Sequence, residues 1–107
     1  MRSTRLRLDG VSVGPDHIGA NDVSYADVFV VVRDDHALPA PSDWEVTLRT
    51  GSDHAIAPGQ YELRLDAADG TVLRGAAVLR FTDGRRHLFR GDGDLDGFVD
   101  EGMIEGS

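Results

Sequence analysis

Hydrophobic residues recur at every second position over much of the chain, which is the spacing of a β-strand with one face in a core. The alternation is clearest in three runs, whose apolar sets are Trp44, Val46 and Leu48; Tyr61, Leu63 and Leu65; and Leu73, Ala77, Leu79 and Phe81. In the third run, Gly75 and Ala76 predict a bend or bulge. No segment offers ten residues of helical period, so the pattern predicts strands throughout.

Asp-Gly dipeptides between these runs predict the turns. Asp69-Gly70 and Asp83-Gly84 are flanked by strand patterns, and this combination favours tight hairpins. They predict a three-stranded meander from Gln60 to Arg90. Nearer the N-terminus, Asp9-Gly10 lies between two short apolar pairs and predicts a further hairpin.

The strand and turn pattern predicts an all-β fold, a small antiparallel barrel or sandwich of six to seven strands. A chain of 107 residues has the usual size of one domain, so we expect a single domain over 1–107 with an acidic C-terminal loop over about 91–107. Strand parity predicts a core of Leu6, Leu8, Phe29, Val31, Trp44, Val46, Leu48, Tyr61, Leu63, Leu65, Leu73, Leu79 and Phe81.

Two sets of apolar residues exceed what one small core requires. Residues 28–32 are an unbroken apolar run, and Val72, Ala76 and Val78 occupy the outward parity of the third run. A second sheet that covers them, or ordinary scatter of surface apolar residues, would account for both sets. The alternative is a surface for self-association or for a partner, because monomers seldom expose contiguous apolar patches.

Composition narrows the class of protein. The formal net charge is −8, there is no cysteine, and every basic residue apart from histidine is an arginine. Disulfides and thiolate metal sites are therefore excluded. An acidic chain repels phosphate, so we expect neither nucleic-acid binding nor attachment to an anionic membrane. No apolar run approaches the length of a membrane span, and no apolar stretch follows Met1 to Arg7, so a cytoplasmic protein is expected.

A single motif carries a defined chemistry. Asp92, Asp94 and Asp96 alternate and are followed by Gly97, as in a loop whose positions 1, 3 and 5 bind calcium and whose position 6 turns sharply. Asp100 then falls at position 9, and the carbonyl of residue 98 at position 7. The spacing resembles the calcium loop of EF-hands and of the related dockerin repeats.

The resemblance covers about nine residues and departs from the family at two points. Position 12 is Met103, where the family has a bidentate acid, and a strand pattern precedes the loop where the family has a helix. Two interpretations stay open. The loop binds calcium through Asp92, Asp94, Asp96 and Asp100, or it is an Asp/Gly-rich turn whose charge is neutralised by nearby arginines such as Arg90.

The histidines indicate no metal site. His17, His36 and His54 each follow an aspartate in a predicted loop, and adjacent residues of an extended chain point in opposite directions. Since successive loops of a meander alternate between its ends, His36 should lie apart from His17 and His54. We expect His87, on a strand, to be a packed or edge histidine and not a ligand.

No catalytic constellation stands out, because the chain lacks cysteine, a Gly-x-Ser-x-Gly elbow and a serine with a marked base. We therefore expect a non-enzymatic binding or assembly module that acts through a protein surface and self-associates. The partner is then a protein or a second copy of the chain, with no cofactor other than calcium. The alternatives are a calcium-binding module and an acidic inhibitor that mimics nucleic acid.

Overall fold

The computed structural model describes residues 2–19, 21–32 and 42–98. They form seven β-strands and no helix, which confirms the predicted all-β class. The described residues accordingly contain no helix that is long and apolar enough to cross a membrane. The strands are β1 (Arg2–Val13), β2 (Asp16–Ile18), β3 (Val23–Val32), β4 (Ser42–Thr50), β5 (Gln60–Ala67), β6 (Val72–Thr82) and β7 (Arg86–Gly91).

Six of the strands close into an antiparallel barrel, so the barrel is the correct one of the two predicted architectures. The order around it is β1-β3-β4-β7-β6-β5, and β5 returns to pair with β1. The meander of β5, β6 and β7 is present as predicted. The seventh strand, β2, pairs with β1 alone. Each of the six barrel strands therefore pairs with at least two others.

The strand β1 joins the two sides of the barrel because it changes partner along its length. Its first half pairs with β3 and its second half with β5. The predicted hairpin at Asp9-Gly10 is wrong. Leu8 pairs with Ala67 and Gly10 with Asp66, so Asp9 is the extra residue of a β-bulge within one strand. The hairpin to β2 comes later, at residues 14–15.

Most of the predicted core is confirmed. Eight predicted core residues are buried, namely Leu8, Trp44, Val46, Leu48, Leu63, Leu65, Leu73 and Leu79, and the half-buried Leu6 and Tyr61 pack against them. On β3 the predicted parity was wrong. Val28 pairs with Val46 and Val30 with Trp44, so these valines point inward and are buried. Phe29 and Val31 are half-buried on the outer face.

The prediction that Phe81 belongs to the core was also wrong. Leu79 pairs with Phe89, but Phe81 pairs with Leu88, so Arg80 is an extra residue and the strand changes parity there. Phe81 is 44% exposed. The Arg86 guanidinium lies over its ring, 5.4 Å from the centroid. The bulge of β6 therefore lies at its end and not at the predicted position near Gly75.

Gly75 instead leaves space for the side chain of Trp44. A Cβ on Gly75 would lie 2.6 Å from Trp44 Cζ2, and a Cβ on Gly91 would overlap the indole ring. The indole Nε1 donates a hydrogen bond of 2.9 Å to the Gly93 carbonyl oxygen. We call this end of the barrel the tryptophan end, since the buried Trp44 side chain packs there against the chain that follows β7.

The opposite end carries the β1–β2 hairpin, the segment between β4 and β5, and the β6–β7 turn. His17, His54 and His87 lie there, and we call it the histidine end. The segment between β4 and β5, residues 51–59, crosses this end of the barrel because β4 and β5 are on opposite sides of it. We call residues 51–59 the strap.

The core assignment predicts unequal effects for two substitutions on neighbouring strands. Leu63→Ala removes a fully buried side chain of β5 and should lower the free energy of unfolding by about 2–5 kcal/mol. Phe81→Ala should lower it by about 1 kcal/mol or less, because it removes an exposed ring and one cation–π contact. Denaturant unfolding of both variants measures this, and an equal or larger loss for Phe81→Ala would show that the inner face of β6 is misassigned.

Candidate functional site

The described part of the acidic loop, up to residue 98, lies at the tryptophan end, where it continues β7 irregularly along β6. The Asp92 amide donates to the Ala76 carbonyl oxygen at 2.8 Å, and Asp96 and Arg74 exchange two backbone hydrogen bonds of 2.7 and 2.9 Å. The side chain of Leu95 is buried in the core. The Asp92 carboxylate accepts a hydrogen bond of 3.0 Å from Gln60 Nε2. This part of the predicted calcium loop is thus held by the barrel itself.

The glycine of the motif also has a structural explanation. Gly97 has φ of +90°, and a Cβ there would overlap the Val72 carbonyl oxygen. Within the described ranges, no three histidine or acidic side chains are grouped so that they could hold a metal ion. Asp100, the fourth predicted ligand, lies outside the described residues, as does the rest of the predicted loop from residue 99 onward. Calcium binding by Asp92, Asp94, Asp96 and Asp100 therefore stays a prediction.

The histidine end contains a cleft of about 570 Å³, which separates the β1–β2 hairpin from the strap. His17 and His54 line it together, as expected from the alternation of loop ends, and His36 lies outside the described residues. The lining residues are Val13, Pro15, Asp16, His17, Ile18, His54, Ala55, Ile56, Ala57 and Tyr61.

Asp22, which precedes β3, anchors the first half of the strap. Its Oδ1 accepts a hydrogen bond of 3.0 Å from the Ser52 amide. Its Oδ2 accepts from Ser52 Oγ at 2.7 Å and from His54 Nε2 at 2.5 Å. The Asp22 carbonyl oxygen accepts from the Gly51 amide at 2.8 Å. Hydrogen bonds from His54 and Ser52 lower the pKa of the Asp22 carboxyl, so it is ionised near neutral pH.

The β6–β7 turn holds the strap from the other side. The His54 amide donates to the Gly84 carbonyl oxygen at 2.7 Å, and Arg85 Nε donates to Asp53 Oδ1 at 3.0 Å. The strap is thereby tied to two loops that are distant in the sequence. Asp53 and Arg85 are both well exposed, so the backbone bond of His54 is the better protected of the two.

The middle of the strap is anchored differently. Residues 53–57 run without a turn or bend, and the half-buried Ile56 packs against the core. The Tyr61 hydroxyl donates a hydrogen bond of 2.5 Å to the Ala57 carbonyl oxygen. The backbone amides of Ala55, Ile56 and Ala57 make no hydrogen bond to another described residue.

His87 lies in the core at this end and is fully buried, so it is packed, the first of the two predicted alternatives. Its ring centroid is 6.4 Å from that of His54, with the two rings nearly perpendicular. Nδ1 is 2.7 Å from Thr82 Oγ1, while Nε2 has no hydrogen-bond partner among the described residues. Burial first, and then the charge of His54, lower the pKa of His87, so its ring is neutral at pH 7.

Ser52, His54 and Asp22 are the residue types of a hydrolytic triad, but their arrangement is different. In a triad the serine hydroxyl bonds one imidazole nitrogen and the carboxylate bonds the other. Here both the hydroxyl and His54 Nε2 bond the same carboxylate oxygen, and Ser52 Oγ is 3.4 Å from that nitrogen. The serine is a donor to the carboxylate and is not activated as a nucleophile. The trio anchors the strap.

The burial of His87 predicts a loss of stability in mild acid. The unfolded chain binds a proton at His87 near pH 6.5, whereas the folded chain binds it only at lower pH. The contribution of the neutral His87 to the free energy of unfolding is therefore complete above about pH 6.5, and it is lost as the pH falls. His87→Gln should remove this part of the pH dependence when denaturant unfolding is compared at about pH 7.5 and about pH 5.

The matched control is His17→Gln, which changes an exposed histidine of the same end. It leaves the buried His87 in place, so the loss of stability in mild acid should persist. If His87→Gln and the unsubstituted protein lost the same free energy of unfolding between the two pH values, protonation of His87 would not be a cause of acid sensitivity.

Calcium binding is tested by titration followed through backbone amide chemical shifts. If the prediction holds, the shifts saturate near millimolar calcium, and Asp94→Asn with Asp96→Asn abolishes them. Asp9→Asn with Glu62→Gln removes the same charge elsewhere and should leave the response intact. A loop unchanged at about 10 mM calcium would leave only an acidic turn.

Comparison with known proteins found no match. No family profile matches the chain, no curated protein matches it, and no solved structure matches it. The functional interpretation therefore depends on the residues of the cleft and the strap themselves.

Proposed function

We propose that the protein is a non-enzymatic binding module that receives part of a partner protein in the cleft of the histidine end. The supporting observation is the cleft itself, whose volume of about 570 Å³ lies within the range of ligand pockets. It lies between two walls from separate parts of the sequence, the β1–β2 hairpin and the strap.

Both walls are fixed before a partner arrives. The hairpin wall is continuous with β1, and the Gly14 amide donates to the Glu62 carbonyl oxygen at 2.9 Å. Four hydrogen bonds to Asp22 hold the start of the strap, and Tyr61 holds Ala57 near its end. A site that is already ordered loses less conformational entropy on binding.

The lining of the cleft combines apolar surface with a few polar groups, as binding sites do. Ile56 and Tyr61 contribute apolar surface, while His17, His54 and Asp16 contribute polar side chains. His54 is already bonded to Asp22. We propose recognition as the role of the cleft. Ser52, the strap serine that lies beside a histidine and a carboxylate, donates to Asp22 and is not activated as a nucleophile.

A display selection from a random peptide library tests this function. Selected peptides should shift the backbone amides of Ile18 and Ile56, and Ile56→Ala should weaken their binding about tenfold, the effect of losing a buried apolar contact. Val72→Ala is the matched control, because Val72 is exposed at the tryptophan end, and it should bind as before. Selected peptides that consistently map to another surface would contradict the proposal.

Self-association is a second candidate, favoured by the outer face of β6. Val72 is 39% exposed, and Ala76 and Val78 are half-buried on the same face. The other apolar set, Phe29 and Val31, lies on β3, which the strand order places across the barrel from β6. The two sets therefore belong to separate faces, and Arg5 covers Phe29 with its guanidinium 5.1 Å from the ring centroid.

Solution mass by light scattering tests self-association. If β6 forms a dimer interface, the mass should be twice that of the chain, and Val78→Asp should restore the monomer with little loss of fold. Val31→Asp on the opposite face should leave the dimer intact. A specific interface of this kind buries roughly 1,000 Å² or more. A protein that stays monomeric at every concentration tested would exclude this candidate.

The remaining alternatives stay predictions. The acidic inhibitor that mimics nucleic acid rests on the net charge of −8 alone. The cytoplasmic location rests on the sequence pattern alone.

A further inference from the structure

We infer that the occupant of the cleft is an extended peptide segment of a partner protein, which pairs through its backbone with the strap and carries a basic side chain toward Asp16. This inference rests on the proposed function, because it names the class of partner for the same cleft.

The middle of the strap has unpaired backbone groups. Residues 53–57 contain no turn or bend, and Pro58 restricts Ala57 to extended conformations. The amides of Ala55, Ile56 and Ala57 and the carbonyls of Ala55 and Ile56 make no hydrogen bond with the described part of the chain. These groups are therefore open to a partner backbone.

Depressions flank the strap on both sides. The cleft of about 570 Å³ lies toward the β1–β2 hairpin, and a depression of about 290 Å³ lies toward Thr82 and Gly84. Backbone groups of successive residues in an extended chain point in opposite directions. An extended peptide in the larger cleft would therefore pair with one alternate set of strap amides, either Ile56 or Ala55 with Ala57.

The opposite wall of the cleft is also a strand with an open edge. Among the strands that the structure describes, β2 has a single partner, β1, while every other strand has at least two. Asp16, His17 and Ile18 of β2 all line the cleft. Addition of a peptide strand to open backbone groups is an established mode of recognition, in which the main chain supplies affinity and side chains supply specificity.

The charge of the site favours a basic peptide. Asp16 lines the cleft, and no described residue forms an ion pair or hydrogen bond with its side chain. The chain as a whole carries a formal charge of −8. Both charges attract a cationic segment, and the attraction should weaken with added salt because Asp16 is exposed.

The test adds a short capped peptide in which arginine alternates with valine. Amide hydrogen exchange of the protein is then measured by NMR. Bound peptide should slow exchange at Ile56 alone or at Ala55 and Ala57 together, since it would pair with only one alternate set. The His54 amide, already bonded to Gly84, is the internal control and should change little.

Variants of the peptide separate backbone pairing from side-chain contact. N-methylation of the peptide amides of one parity should weaken binding about tenfold, while methylation of the other parity should not. Replacing arginine by glutamate should abolish binding, and Asp16→Asn should reduce the preference for the arginine peptide over a neutral serine peptide.

The outcomes are distinct. Cleft shifts without slowed exchange and without an effect of N-methylation would overturn strand pairing and leave the proposed function standing. Absence of cleft shifts with the arginine peptide would overturn the inference, and the display selection would then decide the proposed function separately. Strap amides that become protected with rising protein concentration in the absence of peptide would show that a second copy of the chain is the occupant, which also overturns it.

Discussion

Closure of the barrel through β1 is the constraint on which the other features depend. β1 pairs with β3 along one half and with β5 along the other, and these pairings join the two sides of the sheet. In a strand of strict alternation, Leu8 and Val11 would face opposite sides. The extra residue at Asp9 brings both inward, and both are buried. Without that bulge, one half of β1 would present its polar face to the core.

A closed barrel leaves two ends to be covered, and this chain covers them by different means. At the tryptophan end, Trp44 packs onto Gly75 and Gly91 and bonds the Gly93 carbonyl oxygen, so a large apolar group fills the opening. At the histidine end, the strap lies across the opening and is held mostly by polar contacts. Dense apolar packing makes the tryptophan end rigid. The polar contacts that hold the strap at the surface leave room for the cleft beside it.

The core residues could be predicted from the sequence where the alternation of apolar residues matches their burial. β4 and β5 alternate without interruption, and their inward residues were predicted correctly. β3 carries an apolar residue at every position from 28 to 32, so the sequence holds no information on which parity faces inward. Pairing decides it, since Val28 lies opposite Val46. At Phe81 and at Asp9, a single extra residue changes which side chains face inward. The local sequence does not distinguish such a bulge from a turn or from a regular strand.

The candidate site was less predictable because its parts are far apart in the chain. Asp22 carries no local signal, and its partners Ser52 and His54 come 30 and 32 residues later. The sequence did predict that His17 and His54 share one end, since loops alternate in a meander. The role of Asp22 as the anchor of the strap follows only from the folded chain.

The anchors of the strap explain why its middle is held in place although its backbone is unpaired. Asp22 and Gly84 hold the residues up to His54, and Tyr61 holds Ala57, so the backbone between them is positioned without being paired. Beneath it lies the buried His87 ring, whose pKa is lowered by burial, so the core under the strap is uncharged at neutral pH. The open backbone of Ala55 and Ile56 is thus held in place by contacts at its two ends, above a packed and neutral core.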